Sequence, residues 1–213
     1  GLSALLPRKP AHLAGGDQQR VSLARAMVRS PAAFLMDEPL GTLDADQREH
    51  TRAELRAIHN ELGATTVFVT HDQLEAMSLA DRIAIMRDGQ LLQFAAPREV
   101  YDHPADLFIA HFIGSPGMNF LETTRTDTGE YAIAQTTLRL GAPHGNAVPG
   151  SRLTLGIRPE YICLDPGGCA TVVEHTERLG AYNLLELRLG RQLLKARVAA
   201  GQRANAGDQD GVG

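Results

Sequence analysis

Apolar residues in the first half of the chain occur either at helical spacing or in short continuous runs. Val21, Ala24 and Val28 lie on one face of residues 17–29 and predict an amphipathic helix. The apolar run at 32–36 is typical of a strand buried on both faces of a parallel sheet. The pattern therefore predicts an α/β arrangement rather than a helical bundle.

The next segment repeats this alternation of helix and strand. Leu55, Ile58 and Leu62 form one stripe within residues 43–63 and predict a second helix. The β-branched run at 65–70 predicts a second strand. A helix between two such strands is the βαβ unit of a parallel sheet.

The pattern changes after the second strand. Asp72 and Glu75 have the spacing of a capping box at the head of a short helix. Residues 82–86 and 91–94 flank Asp88-Gly89 and predict an antiparallel hairpin. Two further short helices are predicted to begin at prolines, Pro97 and Pro104.

A domain boundary is predicted at the sequence GSPG, residues 114–117, because helical spacing stops there. We therefore expect two domains, residues 1–117 and 118–213. Alternation in the second is clearest at Leu185, Leu187 and Leu189, and its strands suit a small antiparallel barrel or sandwich. The polar, glycine-rich tail at 201–213 is predicted to be disordered.

Composition narrows the class of protein. The chain has 213 residues, of which 43% are hydrophobic and 22% charged, as in an ordinary soluble protein. It has neither a secretory signal pattern nor an apolar run of the roughly 18 residues that a membrane span needs. Cys163 and Cys169 suggest neither a zinc site nor a disulfide framework, which favours a reducing cytoplasm. The net charge of -4 argues mildly against nucleic-acid binding.

Candidate chemistry follows the two predicted strands. Asp37 and Glu38 close the first strand, and His71 closes the second. Ligands of α/β sheets bind outside the carboxyl ends of the strands, so the three side chains could share one site. In such a site Asp37 is expected to bind Mg²⁺ and Glu38 to orient a water molecule. His71 is expected to contact a terminal phosphate. The alternative is that the acids form a polar turn and that His71 is a surface residue.

Gly15 and Gly16 directly precede the first predicted helix. Bare backbone N–H groups at a helix N-terminus can cradle an anion such as phosphate. The alternative interpretation is a flexible entry into the helix.

Taken together in this order, the motifs resemble those of ABC transporter ATPases. LAGGDQQRVSLARAM is similar to the signature motif, AFLMDEP to the Walker B strand, LGTLD to the D-loop and VFVTHD to the switch-histidine strand. The sequence from residue 75 to about 120 is similar to the maltose-type sugar-importer subunits. In those proteins GIRPE, here 156–160, lies in an OB-like regulatory barrel.

The resemblance implies a role for each matching residue. It implies that Asp37 binds Mg²⁺, that Glu38 polarises the attacking water and that His71 contacts the γ-phosphate. It also implies that Asp44 lies at the contact between two ATPase subunits. The residues that would face ATP held by the partner subunit are Ala14, Gly15, Gly16 and Asp17. Ala14 stands where the family usually has Ser, and Asp17 where it usually has Gln.

The implied fold is the C-terminal part of a P-loop nucleotide-binding domain of ABC type, followed by a small OB-like barrel of TOBE type. The implied protein binds ATP and Mg²⁺, pairs with a second ATPase subunit and with transmembrane permease subunits, and powers import of a carbohydrate or similar solute. Its place is the cytoplasmic face of the plasma membrane, with no nucleic-acid partner. The chain contains no G-x-x-x-x-G-K-[ST] loop, so we expect that loop upstream of Gly1 and expect this chain alone to be inactive.

Two other functions remain open at this stage. The chain could be a non-catalytic regulatory module that pairs with a complete ATPase subunit. It could also belong to a chromosome-maintenance or DNA-repair ATPase, but no sustained heptad pattern of the kind that flanks those motifs occurs.

Overall fold

A computed structural model of the chain describes residues 2–29, 31–41, 43, 45–136, 138–140, 148–202, 207 and 209–212. The chain divides into two compact units, Gly1–Asp102 and His103–Gly213. No helix in these described ranges is long and apolar enough to cross a membrane. The predicted boundary after residue 117 stays a prediction.

The first unit contains the predicted βαβ arrangement. Its elements in chain order are α1 (Gly15–Met27), β1 (Ala33–Asp37), α2 (Ala45–Leu62), β2 (Thr65–Val69), α3 (Gln73–Leu79), β3 (Ile83–Arg87), β4 (Gln90–Ala95) and α4 (Pro97–Asp102). Strands β1 and β2 pair in parallel, with Ala33 opposite Thr65 and Asp37 opposite Val69. Strands β3 and β4 form the predicted antiparallel hairpin.

The core of this unit lies where α2 packs on the loop after β1. Leu40, Leu43 and Leu55 are buried, and Leu23 and Met27 of α1 pack against them. The apolar stripe predicted for α1 is wrong at Val28, which follows the helix and is 85% exposed, whereas Val21 and Ala24 are half-buried. Leu23 and Met27, which lie one helical turn apart, supply contacts from α1 to this cluster.

One face of the parallel sheet is exposed in this unit. Leu35 is 81% exposed, whereas Phe34, the preceding residue of β1, is 7% exposed. Val67 and Val69 of β2 lie on the exposed face with Leu35. The prediction that the first strand is buried on both faces is thus wrong for the described chain, because side chains alternate across a strand and α2 covers one side only.

The described residues of the second unit form one α-helix, a short 3-10 helix at Pro159–Tyr161 and two antiparallel sheets. Its elements are α5 (Leu107–Phe112), β5 (Asn119–Arg125), β6 (Tyr131–Ile133), β7 (Arg139–Leu140), β8 (Arg152–Ile157), β9 (Leu164–Arg178), β10 (Tyr182–Leu189), β11 (Gln192–Ala199) and β12 (Gln209–Val212). The strand orders are β7-β6-β5-β8 and β11-β10-β9-β12. Helix α5 begins at Leu107, later than the predicted start at Pro104, because the Asp106 side chain caps it.

The core of the second unit lies between its two sheets. Leu185, Leu187 and Leu189 are each at most 1% exposed, which confirms the alternation predicted for β10. The tail, predicted to be disordered, contributes β12, which pairs antiparallel with β9. Composition misled the prediction there because a strand can be held by backbone hydrogen bonds alone.

Arg158 ties the end of α5 to β8. It follows β8 directly and is 3% exposed. Its guanidinium donates to the carbonyl oxygens of Ala110, at 3.1 Å, and Ile113. A cation at the C-terminal end of a helix is favourable because the last carbonyl groups lack partners within the helix.

Candidate functional site

The candidate site lies where β1 and β2 end side by side. Asp37 is the last residue of β1 and is level with Val69, the last residue of β2. Glu38 and His71 follow these strands, and His71 Nδ1 lies 2.8 Å from Glu38 Oε1. Two candidates that are 33 positions apart in the sequence thus form one hydrogen-bonded pair.

The Glu38 backbone has an unusual conformation. Its φ is 43°, in the left-handed region, where a residue with a side chain is disfavoured by about 1–2 kcal/mol. Its N–H donates to the Val69 carbonyl at 2.8 Å, and its carbonyl accepts from the Gly41 N–H at 3.2 Å. The Gln19 side-chain amide of α1 donates to the same carbonyl at 3.2 Å. These contacts hold a conformation that the residue alone would rarely adopt.

Three acidic residues act on the exposed His71 imidazole. Its hydrogen bond to Glu38 and the charge of that carboxylate raise the pKa of His71 above its ordinary value of 6.5. Glu75 and Asp72 raise the pKa further through their charge, and desolvation lowers it. Glu38 therefore favours a protonated His71, which could donate to a phosphate oxygen.

The loop that carries His71 is fixed by Thr70, Asp72 and Glu75. Asp72 Oδ1 accepts from the N–H groups of Leu74 and Glu75, as expected of an N-cap. The predicted capping box does not close, because Glu75 Oε2 accepts from Thr70 Oγ1 at 2.7 Å and Thr70 Oγ1 accepts from the Asp72 N–H at 3.0 Å. Glu75 is only 2% exposed, so the loop that carries His71 is hydrogen-bonded to a buried side chain.

Arg48 of α2 joins this loop to the segment that follows β1. Its Nη2 donates to the Leu43 carbonyl at 3.1 Å, and Nη1 lies 3.6 Å from Asp72 Oδ2. Its Nε lies 3.9 Å from Glu75 Oε1. Asp44, predicted to contact a second ATPase subunit, lies outside the described residues, but its neighbour Leu43 is buried.

The described residues contain no group of three or more His, Cys, Asp or Glu side chains that could hold a metal ion. Mg²⁺ in nucleotide sites is usually bound by one or two carboxylates together with substrate phosphates and water. The exposed Asp37 carboxylate at the end of β1 therefore fits Mg²⁺ that arrives with a nucleotide.

The remaining predicted residues begin α1. Ala14 is the N-cap and makes no side-chain capping bond, and Gly15 has open space where a Cβ would lie. Asp17 is in the first turn, 3.9 Å from Arg20. Gly16 lies between Gly15 and Asp17 in the first turn. The start of α1 therefore presents backbone N–H groups that few side-chain atoms surround.

Sequence reasoning missed Gln19, Gly41 and Arg48 as supports of the site. Gln19 carries no signal, since a glutamine on a helix is usually a solvated residue. Arg48 has the same disadvantage. The roles of Gln19 and Arg48 come from contacts with residues that are distant in the sequence, whereas Gly41 acts within the turn after β1.

Comparisons with known proteins agree with the predicted family. Residues 2–41 match the ABC transporter family, residues 114–162 the MalK OB fold domain and residues 155–213 the TOBE domain. These matches confirm the resemblance and the fold class predicted from the sequence.

The chain is also similar to curated relatives named sn-glycerol-3-phosphate import ATP-binding protein UgpC. It is 44% identical to the one from Chromobacterium violaceum over 98% of this chain and 57% of the relative. It is 45% identical to the one from Escherichia coli strain K12 over 97% of this chain and 59% of the relative. The chain therefore spans less than two thirds of the length of these relatives. A solved dimeric structure of a bacterial ABC transporter cassette is 39% identical over 42% of this chain and 38% of that chain, with a TM-score of 0.39.

Proposed function

We propose that this chain, which contains part of an ABC transporter ATPase domain followed by MalK-type OB and TOBE domains, supplies hydrolytic residues to an ATPase that powers import of a small solute. The relatives are named for import of sn-glycerol-3-phosphate, so the solute is a carbohydrate or a similar small polar compound. The observation that carries the proposal is the Glu38–His71 hydrogen bond at the carboxyl edge of β1 and β2.

Glu38 is the residue that polarises the attacking water. Its Oε1 is engaged by His71, and its Oε2 faces Gly41, where a Cβ would come within 3.6 Å. The strand ends fix the backbone on both sides of this carboxylate, so its orientation is set before substrate binds. A carboxylate held in this way can accept a proton from water as the bond to the γ-phosphate breaks.

His71 contacts the γ-phosphate as a protonated donor. Its raised pKa keeps the proton on the ring at a higher pH than an isolated histidine would allow. Asp37 holds Mg²⁺, which when bound neutralises charge on the phosphates. The residues Ala14, Gly15, Gly16 and Asp17 face ATP bound by a second ATPase subunit, and Asp44 lies at the contact with that subunit.

The wider arrangement belongs to the same proposal. Residues 1–117 form the ATPase part and residues 118–213 the regulatory OB-like part. The ATPase pairs with a second ATPase subunit and with transmembrane permease subunits at the cytoplasmic face of the plasma membrane. Support comes from the names of the relatives and from the MalK-type domains.

The test is ATP hydrolysis by the full-length native gene product with Mg²⁺, comparing wild type with Glu38→Gln. The amide cannot accept a proton, so kcat is expected to fall by about 10²-fold or more. Glu49→Gln makes the same change on the exposed face of α2 and is the matched control. Unchanged kcat in Glu38→Gln would refute the role of Glu38 in hydrolysis.

A further inference from the structure

The Gln19 side chain connects α1 to the candidate general base. Its Nε2 donates to the Glu38 carbonyl at 3.2 Å, across 19 positions of sequence. A carbonyl oxygen has two lone pairs, and among the described residues the Gly41 N–H also donates to this one, at 3.2 Å. The peptide that follows Glu38 is therefore held from two elements, the turn after β1 and the helix α1.

This contact acts on a residue whose backbone needs support. Glu38 has φ 43°, a conformation that a residue with a side chain disfavours. The backbone sets the direction of the Cα–Cβ bond of Glu38, and the side-chain torsions then place the carboxylate beside His71. Without the Gln19 amide the Glu38 carbonyl keeps its bond from the Gly41 N–H but loses the one from α1, so the backbone is freer to leave this conformation and the carboxylate to leave His71.

Gln19 also lies one helical turn after Gly15, and a turn of helix advances about 5.4 Å. The glycines begin α1, and the same helix carries the amide that contacts the Glu38 carbonyl.

We propose that Gln19 is a positioning residue: its amide holds the Glu38 peptide in the left-handed conformation that directs the carboxylate at His71, and so links the start of α1 to the hydrolytic base. The inference rests on the proposed function for the role of Glu38. The geometric part, that Gln19 orients Glu38, concerns the chain without substrate and is measurable separately.

The experiment uses the full-length native gene product and four single variants. Gln19→Ala removes the donor, and Gln19→Glu keeps the shape but cannot donate. Gln18→Ala is the matched control, because its neighbouring amide donates instead to the Leu13 carbonyl at 2.9 Å. Glu38→Gln removes the group on which Gln19 is proposed to act.

Two readouts separate positioning from general damage. The first is the split between kcat and KM for Mg-ATP, where Gln19→Ala and Gln19→Glu are expected to lower kcat about two- to tenfold with KM unchanged, as for loss of one hydrogen bond. The second is the NMR titration of His71, where Gln19→Ala is expected to move the pKa toward 6.5 because Glu38 no longer stays beside the ring. Gln18→Ala is expected to change neither.

A double variant completes the test. In the Glu38→Gln background, adding Gln19→Ala is expected to have no further effect on kcat or on His71, since the group it positions is already gone. The inference is overturned if Gln19→Ala behaves as Gln18→Ala does, if Gln19→Glu keeps full kcat, or if the two changes are additive. Failure of the proposed function is a different result, in which Glu38→Gln itself keeps full kcat.

Discussion

Asn119 offers a measurable test of how the two sheets of the second unit are held together. It begins β5 and is 9% exposed. Its Nδ2 donates to the carbonyl oxygens of Lys195, at 2.8 Å, and Ile157, at 3.3 Å, and its Oδ1 accepts from the Lys195 N–H at 2.7 Å. Because β11 is an edge strand, the Asn119 amide takes the place of a neighbouring strand at Lys195.

Asn119→Leu keeps the volume and removes all three hydrogen bonds. Each contributes about 1 kcal/mol net, and water can replace the lost partner at Lys195 because this residue is exposed on the edge strand β11. We therefore expect the free energy of unfolding to fall by about 3 kcal/mol.

Urea unfolding followed by circular dichroism measures this change. With an m value of about 1–3 kcal/mol/M, the midpoint is expected to fall by at least about 1 M. Asn119→Asp keeps the acceptor but turns a carboxylate oxygen toward the carbonyl oxygens of Lys195 and Ile157, so its destabilisation at neutral pH is expected to be at least as large. Asn60→Leu makes the same change at an exposed position of α2 and is expected to stay within about 0.5 kcal/mol of wild type.

The reasoning is refuted if Asn119→Leu is as stable as Asn60→Leu. That result would mean that the amide bonds contribute nothing beyond packing, and that the apolar core between the sheets is sufficient by itself.

Three further predictions concern the site and its supports. Glu38→Gln is expected to lower the pKa of His71 in an NMR titration. Because the pKa of His71 in the folded state lies above 6.5, the Glu38–His71 pair stabilises the folded protein fully below pH 6.5, and this stabilisation is lost as the pH rises through the raised pKa. A wild-type free energy of unfolding that does not fall over that pH range would contradict the contact. Arg48→Met is expected to lower the free energy of unfolding in urea by about 1–3 kcal/mol, because it removes a charged donor to Leu43 and takes the cation away from the buried carboxylate of Glu75. An unchanged urea midpoint would refute the stabilising role of Arg48. Gly117→Ala is expected to lower the melting temperature strongly, because its Cβ would overlap a backbone carbonyl of α5. Gly201→Ala is the neutral control, since a Cβ there would meet no heavy atom within 4 Å, and equal melting temperatures of the two variants would refute the close packing at Gly117.

Much of the fold was predictable because it is local. The run at 65–70 became β2, Thr65–Val69, and the hairpin around Asp88-Gly89 became β3 and β4. Leu55, predicted on the core face of its helix, is 7% exposed. These features follow from side-chain periodicity and turn chemistry, which operate over a few residues.

The errors share one physical cause. The α1 stripe was assigned to Val28 rather than Met27, and the tail strand β12 was predicted to be disordered. In both, the outcome depended on which surface was available to pack or pair with, and a sequence does not display that surface. The predicted two-sided burial of β1 failed for the same reason, since burial is a property of neighbours.

For the candidate site, the sequence by itself determined the chemistry available: a pair of acids after one strand, a histidine after the next, and two glycines before a helix. Only the tertiary structure decided that Glu38 and His71 meet at 2.8 Å, and that Gln19 holds the Glu38 carbonyl. Parallel pairing brings the ends of β1 and β2 together, and packing of α1 places the Gln19 amide beside the Glu38 carbonyl. Residue types are set locally, whereas distances between remote side chains exist only once the chain has folded.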